Sequence, residues 1–159
     1  MNSSKLFTFV RLLIPLCIFF VGPSVFAETT FEKIKRTGKV TVGTEAAFPP
    51  FEFVEDGKIV GYGKDILDYI VADMKVELNQ LDLPWQGILP GVLAGKFDFV
   101  ATSVSIRAER AKKYAFTVPI AEGTNWVMKR SGDDSINAPD DLSGKVVCTQ
   151  LASGSEKAT

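Results

Sequence analysis

The rhythm of apolar and polar positions changes repeatedly along this chain, and each change marks an element. Positions 30–37 read as a short helix, with Phe31 and Ile34 on one face and Gly38 in the position that ends helices. Residues 39–44 alternate around Val40 and Val42, as a half-buried strand does. The run 51–60 reads as a hairpin turning at Asp56-Gly57. Ile66, Leu67, Ile70, Val71 and Met74 recur at helical spacing over 65–74. A strand follows over 76–83 and is stopped by Pro84. Helices are then predicted over 85–94 and 108–114, and strands over 97–104 and 124–128.

Strands alternating with helices predict an α/β fold with a largely parallel sheet. Ligands of such sheets bind beyond the carboxyl ends of the strands. The loops at 45–51, 84–87 and 102–110 occupy those ends. A polar stretch over 130–141 leads to one more expected strand, 145–149. Ser153 and Glu156 then have the spacing of a capping box, so a helix is expected to begin there. A strand and a helix start are too little for a core of their own, so we expect a first unit and the beginning of a second, incomplete one.

The leading residues follow other rules. Lys5 and Arg11 carry charge, an apolar run spans 12–21, and Val25-Phe26-Ala27 ends in a small residue. This pattern predicts a signal peptide over 1–27, cleaved after Ala27. The apolar run is short for a membrane span, which needs about 20 residues. Cys17 lies within that run among bulky neighbours, which excludes a lipid-anchor reading; cleavage would leave Cys148 alone and no intrachain disulfide.

Composition removes several functions. The chain has no histidine, which excludes a Ser-His-Asp triad and every histidine-containing metal site. Two cysteines so far apart form neither a redox pair nor a zinc cluster. A formal net charge of -1 offers no field for nucleic acid. No cofactor or metal is expected.

Three features on the candidate loops carry chemistry. Ser103 and Ser105 share a face if the strand continues, and Arg110 follows in the first turn of the next helix. Two hydroxyls and a guanidinium fork make a carboxylate clamp, helped by the helix dipole. Glu45 and Phe48 combine a carboxylate with an aromatic ring at a strand end. Trp85, directly after Pro84, is placed to wall a pocket. Spacing alone leaves each with a structural alternative: Arg110 and Glu45 on the surface, Phe48 and Trp85 in the core.

An ordered set of segments then bears on the choice. Gly43-Thr44-Glu45-Ala46-Ala47-Phe48-Pro49-Pro50-Phe51-Glu52 comes first, followed by Gly61-Tyr62-Gly63-Lys64-Asp65-Ile66. Trp85-Gln86-Gly87-Ile88-Leu89-Pro90, Gly95-Lys96-Phe97-Asp98, the stretch 103–110, and Tyr114-Ala115-Phe116-Thr117 come after. In this order and spacing they resemble the amino-acid-binding periplasmic proteins of ABC transporters, solute-binding family 3, with the type II periplasmic binding fold. The resemblance runs from about Phe31 to the last residue. One departure is Gly63-Lys64, where the family's signature carries Asp and an apolar residue.

The resemblance implies two lobes joined by a hinge: lobe one over 28–121, and a crossover with the start of lobe two over 122–159. It implies that Ser105 and Arg110 hold a ligand α-carboxylate and that the main chain around Ser103 takes the α-amine. Phe48 and Trp85 would flank the ligand side chain, and Glu45 would read its tip. The Ala152–Ser155 turn, carrying Ser153 and Ser155, would offer backbone N–H groups to the carboxylate. A carboxylate at Glu45 leans the ligand toward a cationic amino acid or an opine. The implied partners are that ligand and a membrane permease, with a monomeric protein working in the periplasm. Two other functions share the fold: a cyclohexadienyl dehydratase acting on prephenate or arogenate, and the ligand-sensing domain of a larger receptor.

Overall fold

A computed structural model describes residues 27–157. The expected signal peptide, Ala27 apart, falls outside the described residues. Helix α1 (Thr30–Thr37) opens on a capping box, in which Thr29 Oγ1 accepts from the Glu32 N–H at 3.2 Å and the Thr29 N–H donates to Glu32 Oε2 at 2.9 Å. It closes on Gly38, whose φ of 66° suits a residue without a Cβ. Ile34 turns into the core, whereas Phe31 stays exposed under the Lys35 ammonium, 4.5 Å from its ring centre.

Strand β1 (Lys39–Thr44) is the middle of a parallel sheet in the order β5-β1-β6, with β5 at Glu77–Asp82 and β6 at Phe99–Val100. Val40 and Val42 are buried, joined by Ile34, Leu67 and Val71 in one apolar cluster. A second, antiparallel sheet has the order β2-β3-β4: Ala47–Phe48, Glu52–Glu55 and Lys58–Val60. The Asp56-Gly57 turn forms as its sequence predicts, with φ of 49° and 73°. Strand β2, inside what reads as a loop, is an addition: two residues are too few for a period to show.

Helix α2 spans Tyr62–Met74, starting three residues ahead of the apolar periodicity because Gly61, at φ 119°, lets the chain turn directly out of β4. Helix α3 spans Trp85–Leu93 and sets Trp85, Ile88 and Gly91 inward. Phe97 packs edge-on between two glycines: a Cβ at Gly43 or at Gly91 would come within 2.7 Å of its ring.

The later part of the chain departs from its pattern. The strand expected over 97–104 is only the two-residue β6, and the helix expected over 108–114 is the single turn α4 (Ala108–Ala111). The strands expected over 124–128 and 145–149 do not form. Alternation makes a strand only where a neighbouring strand accepts its ladder, and here Trp126, Met128 and Val146 stand 86%, 96% and 97% exposed. From 139 on, a 3-10 turn (Pro139–Leu142) is the element present among the described residues. At Ser153 the expected helix appears as turns, although Ser153 Oγ accepts from the Glu156 N–H at 3.2 Å as a cap would.

Candidate functional site

The carboxyl ends of β1 and β6 are tied together by one buried hydroxyl. Thr102 Oγ1 accepts from the Glu45 N–H at 3.0 Å and donates to the Glu45 carbonyl at 3.2 Å. Thr44, fully buried, donates to the Ala101 carbonyl at 2.8 Å and accepts from Gln80 Nε2 at 2.9 Å. The Ala46 N–H bonds Asp82 Oδ1 at 2.9 Å. These bonds fix the loop after β1 against β5 and β6 and so aim Glu45 outward.

The loops so placed surround a cavity of about 570 Å³. Glu45, Phe48, Trp85, Ser103, Ser105, Arg110, Ser153 and Ser155 all line it. The Arg110 guanidinium lies over the Trp85 ring, 5.2 Å from its centre, in the arrangement of a cation on an aromatic face. Its two terminal nitrogens donate to the Ser105 and Ala152 carbonyls, each at 3.2 Å. Burial, and then the nearby Arg107, lower the Arg110 pKa from its ordinary value. Trp85 is buried and serves both the cavity wall and the core, so its two readings describe one residue. Phe48 is half exposed and stacks on Phe51 at 5.3 Å, outside the core.

Ser103 does not share a strand face with Ser105, because the β6 ladder ends at the Gly43–Val100 pair. Its backbone is left-handed, φ 48°, and its hydroxyl turns away from Arg110 to donate to Glu52 Oε1 at 2.6 Å. Glu52 is 2% exposed, and its other oxygen has no hydrogen-bond partner among the described residues. Burial raises the Glu52 pKa, partly opposed by the Ser103 hydrogen bond.

The opposite wall comes from the later segment. Gln150 Nε2 donates to Glu45 Oε1 at 2.6 Å, and Arg107 donates to the Gly154 carbonyl. Ser155 Oγ reaches Asn125 Oδ1 at 3.3 Å. At the Ala152–Ser155 turn, the Ser153 N–H bonds the Gln150 carbonyl at 3.2 Å, and it is the Ala152 and Gly154 carbonyls that meet the two arginines. Sequence reasoning did not single out Glu52, Arg107, Asn125 or Gln150. Arg107 sits in the 102–110 stretch with Arg110, so a second guanidinium there was the available signal; Gln150 and Asn125 have none, being single polar residues in or beside expected strands that do not form.

A parallel α/β sheet with a polar cavity at its carboxyl edge, walled by an arginine on an aromatic ring, is the place where such folds receive a ligand, and the architecture is that of the type II periplasmic binding fold. The chain belongs to the bacterial extracellular solute-binding proteins, family 3, whose pattern it matches over residues 40–156. It is 32% identical over 132 residues to the L-cystine-binding protein TcyJ of Escherichia coli (strain K12), covering 82% of this chain and 50% of that protein. Among solved structures it resembles an ancestral arginine-binding protein bound to arginine (38% identity, TM-score 0.72, 76% of this chain and 54% of that one). It also resembles the ancestral amino acid-binding protein AncCDT-1, a precursor of cyclohexadienyl dehydratase (31% identity, TM-score 0.74, 82% of this chain and 59% of that one). The chain spans about half the length of the relatives it matches.

Proposed function

We propose that this protein is the solute-binding component of an ABC transporter, working in the periplasm after removal of the 1–27 leader and handing an amino acid or related amine-carboxylate to a membrane permease. The observation that carries this is the meeting of Arg110, Trp85, Phe48 and Glu45 around one cavity, facing the 149–155 segment. Arg110 and Ser105 take the ligand carboxylate. The guanidinium hydrogen bonds now reach backbone carbonyls, and a bidentate carboxylate is the better acceptor for that fork. The main chain at Ser103 takes the α-amine. Phe48 and Trp85 sandwich the side chain. Glu45 meets its tip, and exchanging its Gln150 partner for a ligand cation favours cationic amino acids over glutamate. Arginine in a solved structural relative supports the same lean.

Residues 28–121 form the first lobe in this reading, and 122 onward begin the second, closing by a hinge as Ser153 and Ser155 approach the ligand. Closure dries the cavity and strengthens its ionic contacts. The test is a thermal-shift screen of the full-length protein against arginine, lysine, histidine, octopine, glutamate, cystine and prephenate. At 100 times its dissociation constant the best ligand stabilises the fold by about 2.7 kcal/mol. A cationic amino acid or opine at the head of the ranking is expected; glutamate at the head would overturn the role of Glu45, and consumption of prephenate would replace binding with dehydratase chemistry.

A further inference from the structure

Three elements converge behind the cavity wall on one buried carboxyl. Glu52 comes from β3, Ser103 from the loop after β6, and Gly63 from the first turn of α2. A Cβ at Gly63 would overlap Glu52 Oε1, lie 2.9 Å from its carboxyl carbon and stand 3.2 Å from Ser103 Oγ. The missing side chain at 63 is therefore the space the Glu52 carboxyl fills. Among the described residues this group is poorly compensated: it is 2% exposed, holds one hydroxyl partner, and its second oxygen has no partner. Burying so poorly matched a carboxyl disfavours the folded state, so its role lies in what its one good hydrogen bond does. That bond, at 2.6 Å, grips a residue that is itself costly, a serine at φ 48° whose other side lines the cavity.

We propose that Glu52 is a positioning residue for the ligand's α-amine, acting through Ser103: its buried carboxyl, seated over Gly63, holds Ser103 in the left-handed conformation that fixes the 103 peptide at the cavity wall. Glu52 never touches ligand. The inference rests on the reading of the cavity as an amino-acid site and adds to it the device that shapes the amine end. Burial raises the carboxyl's pKa, in keeping with a group that grips Ser103 without serving as a counter-charge to the amine.

The test separates amine recognition from general damage. Two matched pairs are titrated into the full-length protein by calorimetry: L-arginine with 5-guanidinopentanoate, and L-glutamate with glutarate, each pair differing only by the α-amine. In whichever pair binds, Glu52→Ala is expected to weaken the amino acid by about tenfold or more while leaving the des-amino partner within about twofold. Glu52→Gln, which keeps the acceptor and the volume, is expected to restore the amino acid to within about twofold of the natural protein. Gly63→Ala, which pushes the carboxyl off Ser103, carries the same selective loss and serves even if Glu52→Ala does not fold. Equal losses for both members of a pair, or no loss in either variant, would overturn the positioning role and leave the cavity reading intact. If another amino acid heads the thermal-shift ranking, it and its des-amino partner replace these pairs; a natural protein that binds no amino acid of that panel would overturn the cavity reading and this inference together.

Discussion

Arg110, on the cavity, and Glu52, behind its wall, show how burial acts differently on two ionisable groups. The guanidinium remains charged in any protein environment, so partial burial over Trp85 makes it a stronger clamp without switching it off. The Glu52 carboxyl responds by holding its proton more tightly. The consequence for stability has a definite sign. A folded-state pKa above the ordinary value, 4.5, makes this group's contribution to stability complete below that value and lost as pH rises through the folded pKa. Glu52→Gln, which cannot ionise, should therefore flatten the decline in stability as pH rises from 4.5 towards neutrality. Urea melts across that range check it, and parallel curves would contradict it. Trp85→Ala should weaken the best ligand and also lower stability by about 3–5 kcal/mol, since the ring serves wall and core alike.

At the scale of elements, the first half of the chain was largely readable. Alternation at Val40 and Val42, the Asp56-Gly57 turn and the helical spacing of Leu67 and Val71 each reported a local pattern that packing then used. Sequence also gathered the cavity residues by loop position, because strands of a parallel sheet end on one edge. What it missed is non-local. The turn of Ser103 into the protein depends on Glu52, 51 residues away, and on an absent side chain at Gly63. The strands expected over 124–128 and 145–149 failed for the same reason: period-2 alternation does not say whether a neighbour is there to pair with. Helix α3 and β1 are held together through Phe97, wedged against Gly43 and Gly91. Gly43→Ala forces that ring aside and should cost about 1–3 kcal/mol, read as a lower urea midpoint at unchanged slope; an unshifted midpoint would show that the ring has room to move.

Across the whole molecule, the cavity lies where two stretches of chain face each other, one built on the parallel sheet and one reaching it through Gln150, Ala152 and Gly154. Glu45 and the two arginines thus touch both walls, so a ligand held by these groups lies between the two stretches and joins them. Ligand-driven closure should then appear as a smaller radius of gyration by solution scattering when ligand is added to the full-length protein; an unchanged radius would indicate a cleft that binds without closing. The central claim, that this cavity takes an amino acid by its carboxylate on Arg110, is tested most directly by calorimetric titration of L-arginine into the full-length natural protein and into Arg110→Ala. The account predicts saturable one-to-one binding to the first and a loss of about 2–5 kcal/mol in the second, with the fold retained. Undiminished affinity in Arg110→Ala would contradict it.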